Sequence, residues 1–429
     1  MIHSNNGLLS RRHLLQAMQA TAGAVAGSSI MHAAHAEPSA HKAYKAHKEQ
    51  TSRRTPGVPM SGYGAPSLFE GGVVRTRIRA QPGTTGAGAS STPLEHLRGT
   101  ITPNGLHFER HHSGVPRIEP SHHRLIIGGA VERSLSFDLE ALERYPMVTR
   151  TLFLECSGNS GTMLSAKPQP WGCGAIHGLV SCSEWTGVPL SILLDEAGID
   201  LCADANTGWV IAEGADAARM NRSVPLAKCM DDAMIALYQN GERLRPENGY
   251  PMRLLLPGYE GNMSIKWLHR LEVSQSPAMS REETSKYSDL RDDGRASLFT
   301  YPMAVKSVIT SPSPGLELRE PGIYQISGIA WSGAGPITQV DVSADGGRSW
   351  LKAGFDSPPQ ALSLVRFSAA LRWRGQRATL LSRATDGTGA QQPMRDDWIA
   401  SNGRNAFYHC NAIQAWRLDA NGSLHNAYV

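Results

Sequence analysis

The chain has 429 residues, of which 41% are hydrophobic and 19% charged, with a formal net charge of +4. That length exceeds one small core, so about two or three domains are expected. The mild positive balance is spread along the chain and gives no argument for nucleic-acid binding, and no stretch beyond the N-terminal segment approaches the roughly eighteen uninterrupted apolar residues of a membrane span.

The first segment carries an export signature. Arg11-Arg12 precede an Ala/Gly-rich, weakly hydrophobic stretch that closes on Ala34-His35-Ala36, a small-residue cleavage pattern. A twin-arginine signal over residues 1–36 and a periplasmic mature protein are therefore expected. The alternative, an ordinary buried helix, is weakened by Gly23 and Gly27. Residues 37 to about 66 are polar, rich in Lys, His, Pro and Gly, and lack a hydrophobic period, and a second soft stretch, "AQPGTTGAGASSTP", ends near Pro93, so residues 37–93 read as an arm or linker.

From residue 94 to 298 the pattern is mixed α+β. "HRLIIGGAV" reads as a strand entering a glycine turn, "SFDLEALERYP" as a short capped helix, and "VTRTLFLEC" as a buried strand. "GVPLSILLDEAGI" has apolar residues at helical spacing, "GYPMRLLLPG" is a short buried strand, and "IKWLHRLEVSQ" is another strand. No regular βαβ rhythm, dinucleotide fingerprint or phosphate loop is present. Beyond residue 302 apolar and polar residues alternate, Asp345-Gly346 supplies a turn between two β-rich runs, and "LVRFSAALRW" and "RATLLSRATDGTG" continue the strands. An immunoglobulin-like β-sandwich over residues 302–429 is the economical reading.

The six cysteines, at 156, 173, 182, 202, 229 and 410, match neither a zinc module nor a disulfide scaffold. A Cys173–Cys182 bridge could form in an oxidising compartment; the others read mostly as small buried hydrophobes. No Cys-x-x-Cys-His occurs, so no c-type haem is expected on this chain. Cys156 is distinctive because it closes the apolar run "TLFLEC" and precedes the turn "SGNS". A thiolate at the rim of a cleft can be a metal ligand or nucleophile, whereas a buried thiol is structural.

Its company favours the ligand reading. "FERHHSGVPRIEP", "ECSGN", "NGYPMRLLLPG" and "GNMSIKWLHRLEV" occur in the order found in the sulfite oxidase family of molybdenum enzymes, and "GIAWSGAGPITQVDVSADGGRSW" resembles that family's C-terminal dimerisation domain. The resemblance implies one Mo-molybdopterin per subunit, bound by a mixed α+β domain and followed by the immunoglobulin-like domain. It places Cys156 on the metal, a soft thiolate for a soft centre. It assigns the pterin and its phosphate to Arg110, His111, His112, Arg253, Ser264, Ile265 and Lys266, with Asp216, Ser223 and Asn248 as further contacts. Tyr287 is aligned beside the metal as a hydrogen-bond or proton partner, Arg110 orients the sulfur being oxidised, and Trp171 lines the substrate mouth.

Two positions depart from the sulfite-oxidising pattern. Gly161 stands where those members carry an arginine, and Asn248 where they carry a histidine. Losing that arginine is expected to weaken binding of free sulfite and to open the mouth to sulfur on a larger carrier. With the export signal and the absence of haem, this resembles the sulfane dehydrogenase branch of the family. There the implied substrate is a cysteine persulfide on a sulfur-carrier protein, oxidised with water as oxygen donor. Electrons pass to a separate dihaem cytochrome c, and a homodimer of this subunit would sit within a heterotetramer. A sulfite dehydrogenase, and a non-enzymatic binding protein with Cys156 structural, are the rival readings; no nucleic-acid or membrane partner is expected.

Overall fold

The computed structural model describes residues 8–9, 56–78, 80, 85–199 and 208–429. One compact unit contains Val74–Val429 and Leu8–Leu9; a second, Arg12–Val73, is described only from residue 56. In that second unit Ser67 caps a single 3-10 turn, Leu68–Glu70, its Oγ accepting from Phe69 N at 3.2 Å. The expected twin-arginine motif, cleavage pattern and arm up to residue 55, together with Cys202, lie outside the described residues.

The N-terminal part of the large unit is mixed α+β, as its interleaved patterns predict. One sheet orders Asn221–Pro225, Trp209–Gly214, Leu268–Ser274, Leu125–Gly129 and Leu135–Phe137, antiparallel except where Leu268–Ser274 runs parallel to Leu125–Gly129. A second is antiparallel and orders Val148–Glu155, Val180–Pro189, Met234–Gln239 and Glu242–Arg243, with Arg253–Leu255 also pairing Met234–Gln239. The helix Leu190–Ala197 buries Leu190, Leu193, Leu194 and Ala197 completely, the spacing of one helical face, and stops at Gly198 with φ +70°. The short helix Leu139–Glu143 starts on Asp138, whose Oδ1 accepts from Ala141 N at 2.8 Å.

The strand Val148–Glu155 joins the two halves of the unit, because its alternating faces pack against different cores. Phe153 belongs to the core shared with the C-terminal sandwich, whereas Leu152, Leu154 and Cys156 belong to a smaller cluster with Phe108, Leu179 and Trp185. Cys156 therefore points to the cleft side by strand parity, and its N–H still donates to Leu179 O at 2.9 Å, one ladder step past the strand.

The C-terminal part is the expected two-sheet sandwich. One sheet contains Lys306–Ser311, Gly322–Trp331 and Val365–Trp373, with Gly354–Phe355 and Leu8–Leu9 also pairing Val365–Trp373; the other orders Leu351–Lys352, Ile337–Ser343, Ala378–Asp386, Ala415–Leu418 and Leu424–Ala427. Val308, Ile329 and Phe367 of the first meet Val340, Leu380 and Trp416 of the second in one core. The turn around Asp345-Gly346 connects Ile337–Ser343 to Leu351–Lys352, with Ser343 Oγ donating to Asp345 Oδ1 at 2.8 Å.

Order begins earlier than residue 94. Thr76–Ile78 and Gly88–Ser91, inside the stretch read as linker, pair with each other and then with Glu109–His111. Gly88–Ser91 consists of small residues and carries no hydrophobic period, whereas Val74, Thr76 and Ile78 alternate with arginines; Gly88–Ser91 is laddered to both Thr76–Ile78 and Glu109–His111. Among the described residues no helix is long and apolar enough to cross a membrane.

Candidate functional site

The chain leaves the strand at Glu155 through a turn fixed from both sides. Asn159 N donates to Cys156 O at 2.8 Å, Asn159 Nδ2 to Glu155 Oε1 at 2.8 Å, and Asn159 Oδ1 accepts from Leu179 N at 3.1 Å. The left-handed residue is Ser160, at φ 67°, and its Oγ accepts from Lys306 Nζ at 2.7 Å. Lys306 also reaches Glu155 Oε1 at 3.0 Å, and Trp331 Nε1 donates to Glu155 Oε2 at 2.6 Å. The sandwich thus clamps the turn that carries Cys156, through a buried ion pair whose members are 3% and 0% exposed.

Cys156 lies where two cavities meet. A cleft of about 700 Å³ is lined by Arg110, His111, His112, Cys156, Asp216, Asn248, Arg253, Ser264, Ile265, Lys266 and Tyr287. A wider chamber of about 1040 Å³ shares Arg110, His112, Cys156 and Tyr287 with it. Burial pushes the Cys156 thiol up, partly offset by the Gly158 N–H and Arg110.

The cleft wall is cationic and its positions are fixed. Arg253 donates from Nη1 to Asn248 O at 2.9 Å and from Nη2 to Ser264 O at 2.8 Å. Burial lowers its pKa to about 9, and its Nε has no partner among the described residues. Lys266 Nζ donates to Arg110 O at 3.1 Å, Glu247 O at 3.0 Å and His111 Nδ1 at 2.8 Å, which leaves His111 Nε2–H for Glu109 Oε2 at 2.7 Å. Burial, then Arg253, holds the ammonium of Lys266 well below its ordinary value. Asn248 Nδ2 donates to Gln239 Oε1 at 3.0 Å, and Asp216 Oδ2 accepts from Ser113 Oγ at 3.1 Å.

At the junction the Tyr287 hydroxyl and His112 Nε2 are 2.9 Å apart. Burial and the neighbouring Arg110 lower His112 to about 4, so the imidazole is neutral at pH 7 and accepts from the phenol. Burial, then Cys156, raises the phenol and keeps it protonated. Tyr287 is held at φ 53°, backbone strain of the kind found at functional sites. The Arg222 guanidinium lies 5.2 Å from its ring centroid.

Three sequence expectations are not met. Ser223 does not line the cleft: it is fully buried in Asn221–Pro225, its Oγ donates to Glu283 Oε2 at 3.1 Å, and its N–H donates to Glu283 Oε1. Trp171 lines neither cavity. The space beside Gly161 is not open either. A Cβ there would come within 2.5 Å of Phe407 Cε2, so an aromatic ring from the C-terminal part occupies it. Cys173 and Cys182 are both free and buried, so the bridge weighed from the sequence is not formed.

Sequence reasoning missed His107, Asn262, Trp267, Phe407 and Tyr408, all of which line one cavity or the other. His107 could have been found, since "GLHFERHH" puts a third histidine in the same loop. Phe407 and Tyr408 carried no local signal, because they meet the site across most of the chain.

The donor set fits a large anionic heterocycle. Among the described residues Arg253 Nε is a buried donor without a partner, and Arg110 and Lys266 add positive charge, while Asp216, Glu247 and His107 Nε2, left bare because Nδ1–H donates to Phe108 O at 3.0 Å, can accept from ring N–H groups. Among the described residues no three His, Cys, Asp or Glu side chains converge on a metal. A metal at Cys156 would therefore take its remaining ligands from such a heterocycle.

Comparison with known proteins points the same way. Residues 112–282 match the oxidoreductase molybdopterin binding domain and residues 297–415 the Mo-co oxidoreductase dimerisation domain. Chicken (Gallus gallus) sulfite oxidase is 35% identical over 282 residues, covering 60% of each chain. Human (Homo sapiens) mitochondrial sulfite oxidase is 33% identical over 278 residues, 61% of this chain and 50% of that protein. This chain thus spans about half the length of the human relative and 60% of the chicken one. The crystal structure of the sulfane dehydrogenase SoxCD from Paracoccus pantotrophus superposes with a TM-score of 0.84 at 45% identity, over 87% of this chain and 95% of that one.

Proposed function

Because the chain belongs to the sulfite oxidase family of molybdopterin oxidoreductases, we propose that it oxidises sulfane sulfur carried as a cysteine persulfide on a partner protein. Water supplies the oxygen, a dihaem cytochrome c takes the electrons, and the periplasm is the compartment. The observation that carries this reading is the shared junction of Cys156, Arg110, His112 and Tyr287, which opens on one side to the cationic cleft and on the other to a chamber of about 1040 Å³. Exposed Arg281, Lys286 and Phe407 line that chamber, so a sulfur presented on a protein arm can approach it from solvent.

Molybdenum held by a pterin supplies a two-electron redox centre at which oxygen from water can be passed to sulfur. Cys156 would be its protein ligand. Arg253, Lys266, His107, Asp216 and Asn248 would bind the pterin. Arg110, at the junction, offsets negative charge as oxygen accumulates on the sulfur. Tyr287, whose O–H is donated to neutral His112 Nε2 at 2.9 Å, can turn that proton to an oxygen at the junction, and His112 can accept it back. Converting R–S–S⁻ and three waters into R–S–SO₃⁻ releases six protons and six electrons, so the junction needs a group that exchanges protons repeatedly.

The second reading, a sulfite dehydrogenase, is favoured by the identity to animal sulfite oxidases and by Arg110 at the junction. Two measurements on protein matured with cofactor decide between them: molybdenum and pterin content, and turnover of a peptide persulfide against free sulfite. The proposal expects about one molybdenum per chain and preferred turnover of the persulfide. Brisk turnover of micromolar sulfite would support the second reading, and absence of both metal and pterin would reject the enzymatic account.

A further inference from the structure

The segment after the helix Arg395–Asn402 lines the chamber through Phe407 and Tyr408 and is anchored to the catalytic part at three consecutive residues. Phe407 N donates to Asp289 Oδ1 at 2.8 Å and Tyr408 N to the same carboxylate at 3.3 Å. His409 N donates to Ser157 O at 2.8 Å, and its Nε2 lies 3.1 Å from Glu260 Oε2. These bonds fix where the Phe407 ring goes, although 48% of the residue stays exposed.

The ring lies on the two glycines that follow Cys156. A Cβ on Gly161 would be 2.5 Å from Cε2 and 2.8 Å from Cζ, and a Cβ on Gly158 would be 3.3 Å from Cε1 and 4.0 Å from Cys156 Sγ. Neither glycine has a positive φ, so backbone freedom is not what requires them. The ring, where it lies, leaves no room for a Cβ at Gly161 and only a tight fit for one at Gly158. Phe407 thus replaces, from the other end of the chain, whatever side chain position 161 could have offered.

We propose that Phe407 is a specificity-determining residue which selects a divalent, polarisable sulfur over a free oxyanion at the junction. Over Gly158 and Gly161 the chamber wall is the Phe407 ring, which offers no donor, whereas Arg110, His112 and Tyr287 lie at the junction shared with the cleft. An oxyanion oxygen pressed against the ring loses water without gaining a hydrogen bond there. A divalent sulfur at a ring edge gains contact instead. The cations Arg281 and Lys286 line the same chamber but are exposed, so they meet a carrier rather than a small anion deep inside. This inference rests on the proposed sulfane substrate and names the side chain that enforces it.

The test uses the molybdenum-loaded chain with Phe407→Ala and Phe407→Arg, at matched metal content. The persulfide-to-sulfite ratio of kcat/KM should fall about tenfold or more in the alanine variant and further in the arginine variant, chiefly through a lower KM for sulfite. A ratio unchanged within about twofold in both variants overturns the inference. Sulfate binding, followed by titration calorimetry, needs no turnover and separates the two claims. If the wild type oxidises neither substrate, the proposed function fails. Even then Phe407→Arg should bind sulfate at least about tenfold more tightly than the wild type, and equal affinity overturns the role of Phe407.

Discussion

Cys156 shares its strand face with Leu152 and Leu154, so a one-residue slip of Val148–Glu155 would turn the thiol into the sandwich core and Glu155 into the cleft. Its role is thus set by register. Cys156→Ser should cut turnover by more than about 100-fold, as loss of a metal ligand implies, while the melting temperature of the cofactor-free protein changes little. Activity assays beside calorimetry check both halves. Arg253→Lys keeps the charge but loses the planar fork and the unpartnered Nε, so pterin retention after dialysis should fall by about tenfold or more. Acid sensitivity follows from the buried histidines. His107 and His177 are both held to about 3 by burial, so between pH 6.5 and that value the unfolded chain binds protons that the native chain does not. Stability is therefore full above pH 6.5 and falls as the pH drops, by up to about 1.4 kcal/mol per pH unit for each histidine. Denaturant titrations should show a shallower slope over pH 4–6 for His177→Gln than for the wild type.

The elements that hold the site were legible where a period marked them. The strand before Cys156, the helix Leu190–Ala197 and the strands Arg253–Leu255 and Leu268–Ser274 each carry an apolar pattern that only one element satisfies. Gly88–Ser91 was not legible, since a short strand of small residues is held by its neighbours, whereas Thr76–Ile78 lies in an alternation of Val74, Thr76 and Ile78 with arginines that does signal a strand. The same limit hid the clamp on the Cys156 turn. Nothing local says that Glu155 is met by Lys306 and Trp331, because the partners are separated by about one-third of the chain. Lys306→Met leaves Glu155 buried without its cation and should destabilise the fold by about 3–5 kcal/mol. A chemical-denaturation midpoint close to wild type would mean that the clamp is not needed.

Across the whole molecule, the catalytic part and the sandwich share a core, with Phe153, Met163 and Ile176 packed among sandwich residues. The two were legible as successive domains, but not as one cooperative body, because the sequence shows composition and not which faces meet. A single calorimetric transition over Val74–Val429 is expected for that reason. The site was legible as a set of types in order: Cys156, Arg110, Arg253 and Lys266 came from motifs, and the structure brings them to one cleft. Its substrate side was not, because Phe407 reaches Gly161 from the far end of the chain. The homodimer that the family resemblance implies should give about twice the mass of one chain in light scattering. The most direct measurement of the central claim is molybdenum-edge X-ray absorption of the mature protein and of Cys156→Ser. The account predicts a sulfur-ligated molybdenum in the wild type and, in the variant, either one fewer sulfur scatterer or no retained metal. Equal metal content with an unchanged sulfur count in both proteins would contradict it.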